Sequence, residues 1–162
     1  MPIDETAKYV IKPQFDDAYS FSEGLAPVNI GAKPDEKGRF TGGKWGFIDK
    51  TGKYVIKPQF EGAEQFSEGL APAKIGRKWG YIDKTGKIVI KPQFDWAMGF
   101  YEGLAVVEIG GKDGFIDKTG QIVIKAQFDS ASGFSQGLAN VKIGEKWGYI
   151  DRTGKYIWEP TK

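Results

Sequence analysis

Residues 45–78 read WGFIDKTGKYVIKPQFEGAEQFSEGLAPAKIGRK, and this block recurs along the chain with a step of 34 residues. Trp45-Gly46, Trp79-Gly80, Asp113-Gly114 and Trp147-Gly148 keep that step, as do Phe60, Phe94 and Phe128, and Leu70, Leu104 and Leu138. Self-similarity at such a period marks an array in which no single unit buries its own apolar face. Within the block, Trp45-Gly46-Phe47-Ile48-Asp49 is aromatic and β-branched and reads as a strand. Asp49-Lys50-Thr51-Gly52 reads as a hairpin loop, with Asp accepting nearby backbone amides and Gly taking the positive φ. Tyr54-Val55-Ile56-Lys57 is the return strand, ended by Pro58, which cannot donate to a ladder. Phe60 to Gly69 reads as a turn-rich connection, and Leu70 to Ile75 as a third, less regular strand. No stretch carries a useful helical period.

The expected fold is therefore all-β, a tandem array of three-stranded units. A partial N-terminal hairpin (1–8) precedes units at about 9–44, 45–78, 79–112 and 113–146, and a cap hairpin (147–162) ends the single domain. Both ends carry the same return strand, Tyr9-Val10-Ile11 and Tyr156-Ile157-Trp158, and duplicates cannot fill one vacancy. That favours an open, superhelical array over the alternative, a closed four-bladed propeller. Gly beside Trp lets another backbone or ring approach closely. Trp45, Trp79 and Trp147 are accordingly expected to lie buried between units, and Gly52, Gly86, Gly120 and Gly154 to have positive φ. Trp158 replaces the Ile56, Ile90 and Ile124 of inner copies, a larger ring suited to capping a last face, with a homodimer contact as the alternative.

The cycle K-W-G-[FY]-I-D-K-T-G-K-x-V-I-K-P-Q-F, continuing into F-S-E-G-L-A, resembles the WG-containing (KWG) repeats of bacterial proteins over essentially the whole chain. The resemblance implies a β-rich tandem array used as an interaction or surface module, with no catalytic residues. Departures are Asp113 in a Trp position, Ala126 for the proline of KPQF, and Ala7 for the loop glycine.

Composition narrows the function. There are 23 basic and 21 acidic residues, interleaved through the repeats, so no field steers nucleic acid or acidic membranes. The columns Lys12, Lys57, Lys91, Lys125 and Lys50, Lys84, Lys118 are expected to meet acidic side chains of the same period. No run of 18 apolar residues suggests a membrane span. Met1-Pro2-Ile3-Asp4-Glu5 carries no basic or apolar signal region, and the compartment stays open. The chain has no histidine and no cysteine, which removes the commonest general base, the commonest transition-metal ligands and any disulfide. D-K-T-G matches the core of a phosphoryl-accepting loop of P-type ATPases, but it recurs once per unit and reads as a hairpin turn. Glu23, Glu68 and Glu102 before Gly-Leu read as equivalent, solvated carboxylates rather than a catalytic pair. No enzyme activity, cofactor or metal is expected.

Individuality should sit where copies differ. One such place is an insertion between Gly31 and Gly43 with Arg39 and Phe40 as anchors, read mainly as a tolerated mobile loop and otherwise as a binding loop. The other is the third unit. Trp96, Met98 and Tyr101 stand there in place of Asp17, Gly62 and Ser130, of Tyr19, Glu64 and Ser132, and of Ser22, Ser67 and Ser135 respectively. They read either as a surface hot spot or as a cover over the gap left by Asp113. The expected function is a non-enzymatic scaffold for a protein or peptide partner, the alternative a carbohydrate or cell-wall binding module using exposed aromatics.

Overall fold

The computed structural model describes residues 11–158. The expected hairpin 1–8, with Ala7, lies outside the described residues. The chain forms four antiparallel four-stranded meanders, and none of these sheets closes into a barrel. Sheet one holds β1 (Asp17–Ala18), β2 (Ala26–Pro34), β3 (Phe40–Ile48) and β4 (Tyr54–Phe60). Sheet two holds β5 (Gly62–Ala63), β6 (Ala71–Ile75), β7 (Lys78–Ile82) and β8 (Ile88–Phe94). Sheet three holds β9 (Trp96–Tyr101), β10 (Leu104–Ile109), β11 (Lys112–Ile116) and β12 (Ile122–Phe128). Sheet four holds β13 (Ser130–Ala131), β14 (Leu138–Ile143), β15 (Lys146–Asp151) and β16 (Tyr156–Trp158).

The fold is thus the expected all-β tandem array, with one addition. A two-residue outer strand precedes each meander in units one, two and four. Each structural unit therefore begins just after the repeated Phe (Phe15, Phe60, Phe94, Phe128) rather than at Trp.

The hairpins follow their sequence. The Asp83 carboxylate accepts the Thr85 hydroxyl at 2.6 Å and the Thr85 and Lys87 amides at 2.9 and 3.1 Å. Gly86 then closes the loop at φ +89°, as do Gly52, Gly120 and Gly154 at +89°, +90° and +86°. The same glycines let the preceding unit's isoleucine in: a Cβ on Gly86 would stand 3.1 Å from Ile56 Cγ2. Gly80 serves another purpose. A Cβ there would come within 2.4 Å of the Ile90 carbonyl oxygen, so only glycine lets β8 cross β7 at its bulge.

Packing runs sheet to sheet. One face supplies Leu70, Trp79, Tyr81, Ile90 and Phe94; the next sheet answers with Ala97, Phe100, Ala105, Val107 and Ile116. The joints on either side repeat this arrangement. Trp79 is 6% exposed. Trp147, by contrast, is 51% exposed, which corrects the expectation that it is buried. It has the same strand and the same Gly neighbour, but no described sheet packs on its face. Tyr149 and Leu138, whose counterparts Tyr81 and Leu70 are buried, are exposed with it. That face leaves the array open at its last sheet.

Trp158, 70% exposed, does not cover the vacated face. The insertion in sheet one is not a loose loop either. It prolongs the β2–β3 hairpin, pairing Ala32 with Gly42, Lys33 with Thr41 and Pro34 with Phe40. Its tip is tied by Asp35 accepting the Arg39 Nε–H at 2.8 Å.

Polar groups join the units as well. In the x-[EQ]-G-L hairpins the second residue sits in the left-handed region, at φ +53° in Glu23, Glu68 and Glu102, with Gln136 at +52°. Side chains other than Gly and Asn rarely adopt it. The two-residue turn demands that conformation, and the neighbouring unit then engages the carboxylates. Glu23 accepts the amides of Glu68 and Gly69 at 2.7 and 3.0 Å and faces Lys84 at 3.5 Å. Glu68 accepts the Gly103 amide and Glu102 the Gly137 amide, each at 2.9 Å. Burial pushes the Glu23 carboxyl up, but those amides and Lys84 outweigh it and hold it below the usual range. These glutamates are joints, not the equivalent solvated carboxylates expected. A second rung pairs Lys44 with Glu61 at 2.8 Å, Lys78 with Asp95 and Lys112 with Asp129. Lys84 and Lys118 thus meet acidic partners, whereas Lys57, Lys91 and Lys125 are exposed and form no ion pair among the described residues.

Candidate functional site

The third unit departs from the others in its outer strand. Where they have two residues, β9 runs for six, pairing Trp96 with Glu108, Ala97 with Val107 and Phe100 with Ala105 across a bulge. Trp96 and Tyr101 stand where the other units have Asp, Gly or Ser, and aromatic side chains favour a pleated edge that packs over one that frays.

Each of the three reaches a different neighbour. Trp96 leans back on Trp79 of sheet two, ring centroids 4.8 Å apart at 64°. Met98 packs against the core between sheets three and four, and its carbonyl accepts the Tyr81 hydroxyl at 2.6 Å. Burial drives that phenol far above its ordinary range, so it stays a donor. Tyr101 lies over Gly133 in the connection after β13, where a Cβ would stand 2.9 Å from its ring. The exposed remainder borders a groove of about 230 Å³ lined by Glu64, Gln65, Trp96, Met98, Gly99 and Tyr101. Trp96 is 41% and Tyr101 50% exposed. Burial holds the Glu64 carboxyl above the usual carboxylate range. A half-buried acceptor thus faces the groove between two aromatic rims.

Trp96 and Tyr101 are exposed and lean on Trp79 and Gly133, while Met98 is half-buried against the core. A row of directly opposed residues runs Gly62–Lys74–Trp79 in sheet two and Ser130–Lys142–Trp147 in sheet four. In sheet three the row is Trp96–Glu108–Asp113. The ring has moved from the inner strand to the outer one, and the lysine has become a glutamate. Asp113 accepts the Ala131 amide at 3.0 Å and has no lysine partner among the described residues. Burial and the facing Glu108 raise its carboxyl, the amide partly opposing them.

Arg39 and Phe40 stand apart from this groove. Arg39 is engaged with Asp35 at 2.8 Å, and Phe40 is exposed on the extended β2–β3 hairpin. Of the proposed contact residues, then, Trp96, Met98 and Tyr101 are brought together and Arg39 and Phe40 are not. Glu64 and Gln65 were missed: they lie in the connection one unit earlier, and only the 34-residue stacking carries them opposite Trp96. Among the described residues no group of three or more His, Cys, Asp or Glu could hold a metal ion. No helix among them is long and apolar enough to cross a membrane.

No curated protein matches the sequence. Two solved structures share a distant likeness. One is a plant lectin with two metal-binding sites from Cicer arietinum, at 15% identity, 85% of this chain, 86% of that one and a TM-score of 0.36. The other is a plant albumin from Cicer arietinum showing hemagglutination, at 15% identity, 92% of this chain, 93% of that one and the same TM-score of 0.36. Similarity at that level bears no functional weight. The family model described as the WG containing repeat matches residues 3–33, 45–79, 79–112, 114–147 and 147–161, in register with the Trp-Gly strands described above, and the chain belongs to that family.

Proposed function

We propose that the protein is a non-enzymatic scaffold that binds a protein or peptide partner in the groove at the third unit. The observation that carries this reading is the exposure of Trp96 and Tyr101 on either side of a groove in the single unit whose outer strand is fully formed. Trp and Tyr are the favoured anchors of protein interfaces. Met98 adds a flexible apolar surface suited to varied side chains, and Glu64 offers an acceptor to a peptide amide or basic group. Carbohydrate binding is the second reading, favoured by the accessible Trp96 ring as a stacking platform.

Selection of a displayed peptide library on the whole protein, beside a glycan array, separates the two. The double variant Trp96→Gly/Tyr101→Ser installs the residues found at those positions in other units. It should lose peptide capture at least tenfold and stay folded. Capture that survives the double variant would sink the site, and saturable glycan binding without peptide binding would favour the second reading.

A further inference from the structure

The two ends of the array present the two halves of one joint. In the joint between sheets two and three, Leu70, Trp79 and Tyr81 fill the space over Ala97, Phe100, Ala105 and Val107. The corresponding positions on sheet one are Ala18, Phe21, Ala26 and Val28. They line a hollow of about 360 Å³ with Ile11 and Ile48. Ala18 is exposed, although its counterparts Ala63, Ala97 and Ala131 are buried. At the other end, Leu138, Trp147 and Tyr149 are the matching projections, and all three are exposed.

The charges match as well. Lys44, Lys78 and Lys112 each pair with an acidic residue 17 positions on, in the next sheet. Those acids also accept a turn amide: Glu61 from Gly76, Asp95 from Gly110, Asp129 from Gly144. Asp16 accepts the Gly31 amide in the same way. It has no lysine partner among the described residues, and among them Lys146, the fourth of the lysine series, has no acid either. The last sheet carries the cation and the first sheet the anion.

We propose that a second copy of this chain docks head to tail, its last sheet seating Leu138, Trp147 and Tyr149 in the first sheet's hollow and pairing Lys146 with Asp16. The projections are exposed, and the hollow opens at Ala18 over a floor of Ala26 and Val28; the described ends of one chain do not meet, and a second copy supplies the matching half. The return strand is the one point of overlap. Ile11 and Phe15 already hold the isoleucine and phenylalanine columns of the hollow, whereas β16 offers Trp158 at the isoleucine column. Ile11-Lys12-Pro13-Gln14-Phe15 repeats Ile56-Lys57-Pro58-Gln59-Phe60, the last five residues of β4, so it completes the incoming sheet beside β15 and β16 yields to it. A heterologous contact of this kind does not saturate at a dimer unless it closes into a ring.

Analytical ultracentrifugation of the whole chain over a concentration series tests this. Wild type should show a mass rising from 17.9 kDa through multiples of it. Trp147→Glu blocks the projecting face and Ala18→Arg the hollow. Both positions are exposed, so the folds should survive, as circular dichroism would verify. Each variant alone should stay monomeric, and their equimolar mixture should form a dimer and nothing larger. A wild type that stays at the monomer mass at every concentration overturns the proposal, through ring closure within one chain or through absence of association. An Ala18→Arg variant that still dimerises overturns it too, because last faces would then be pairing with each other.

Discussion

Trp79→Ala and Trp147→Ala remove the same side chain from the same strand position in two sheets, and they should differ several-fold in cost. Trp79 is 6% exposed, touches Gly62 and meets Trp96 edge to face, so its loss opens a void between sheets two and three. A buried Trp covers roughly 150–250 Å². At about 25 cal/mol per Å² the transfer contribution is roughly 4–6 kcal/mol as an upper bound, and core Trp truncations cost about 3–5 kcal/mol. Trp147 is 51% exposed with Lys142 5.8 Å above its ring, and its truncation should cost about 1 kcal/mol or less. Chemical denaturation of both variants at low protein concentration, where no second copy contributes, reads the difference directly. In a melt, Trp79→Ala should fall by roughly 6–20 °C at about 2–4 °C per kcal/mol for a chain of this size. Equal losses for the two variants would refute the claim that burial in the joint, rather than the Trp-Gly strand itself, gives the tryptophan its value.

Glycine substitutions should rank by what a Cβ meets. Gly80→Ala drives a methyl to 2.4 Å from the Ile90 carbonyl and should melt below Gly86→Ala, which adds backbone strain at φ +89° but meets only a movable Ile56 side chain at 3.1 Å; similar midpoints would contradict the β7–β8 crossing described here. Glu68→Gln keeps the backbone strain while removing the charge that faces Lys118 at 3.5 Å, so its cost should shrink in high salt, and a salt-independent loss would count against the charged rung. The Thr hydroxyls and then the turn amides hold Asp49, Asp83, Asp117 and Asp151 below the usual carboxylate range. Depressed folded-state values contribute stability that is present above the unfolded aspartate value, about 3.9, and lost as pH falls through the lower folded values. Acid titration followed by circular dichroism should therefore show unfolding below about pH 4, and Asp83→Asn should flatten part of that slope.

Much of the fold was legible because a hairpin is a local object. Asp, Thr and Gly within four residues specify the loop, and the 34-residue step specifies how often it returns. Burial is not local. Trp147 and Tyr149 repeat the Trp-Gly-Tyr pattern of sheet two, yet they lie exposed because burial depends on the sheet that follows. The outer strands Gly62–Ala63 and Ser130–Ala131 are too short to carry any alternation. The glutamates were misread for a related reason. Serine and leucine bridge across Glu-Gly in a two-residue hairpin that itself needs positive φ at both central residues, and the amides the glutamates accept lie one unit on, where no local pattern points to them. Gln136 takes the same conformation at φ +52° in the last such turn, with no described following amide to accept, so the turn itself sets that backbone.

The third unit is where sequence and structure together say most about individuality. Losing a Trp from β11 looked like a vacancy to be covered. The opposed row Trp96–Glu108–Asp113 shows an exchange instead, with the ring carried to the outer strand and two carboxylates left side by side. Burial and Glu108 raise the Asp113 carboxyl above its unfolded value, so its ionisation opposes folding at pH values above the folded one and the opposition fades as pH falls through it. Asp113→Asn keeps an acceptor for the Ala131 amide without the charge. It should therefore be the more stable protein at neutral pH, by a margin that narrows on acidification. Asp113→Trp should behave differently: with Trp96 leaning on Trp79, it restores the inner ring beside an outer one already in place, so it tests whether the joint between sheets three and four has room for a ring at all. If Asp113→Asn melts lower than wild type at neutral pH, the buried charge is a stabilising part of that joint, and the exchange reading of the row fails with it.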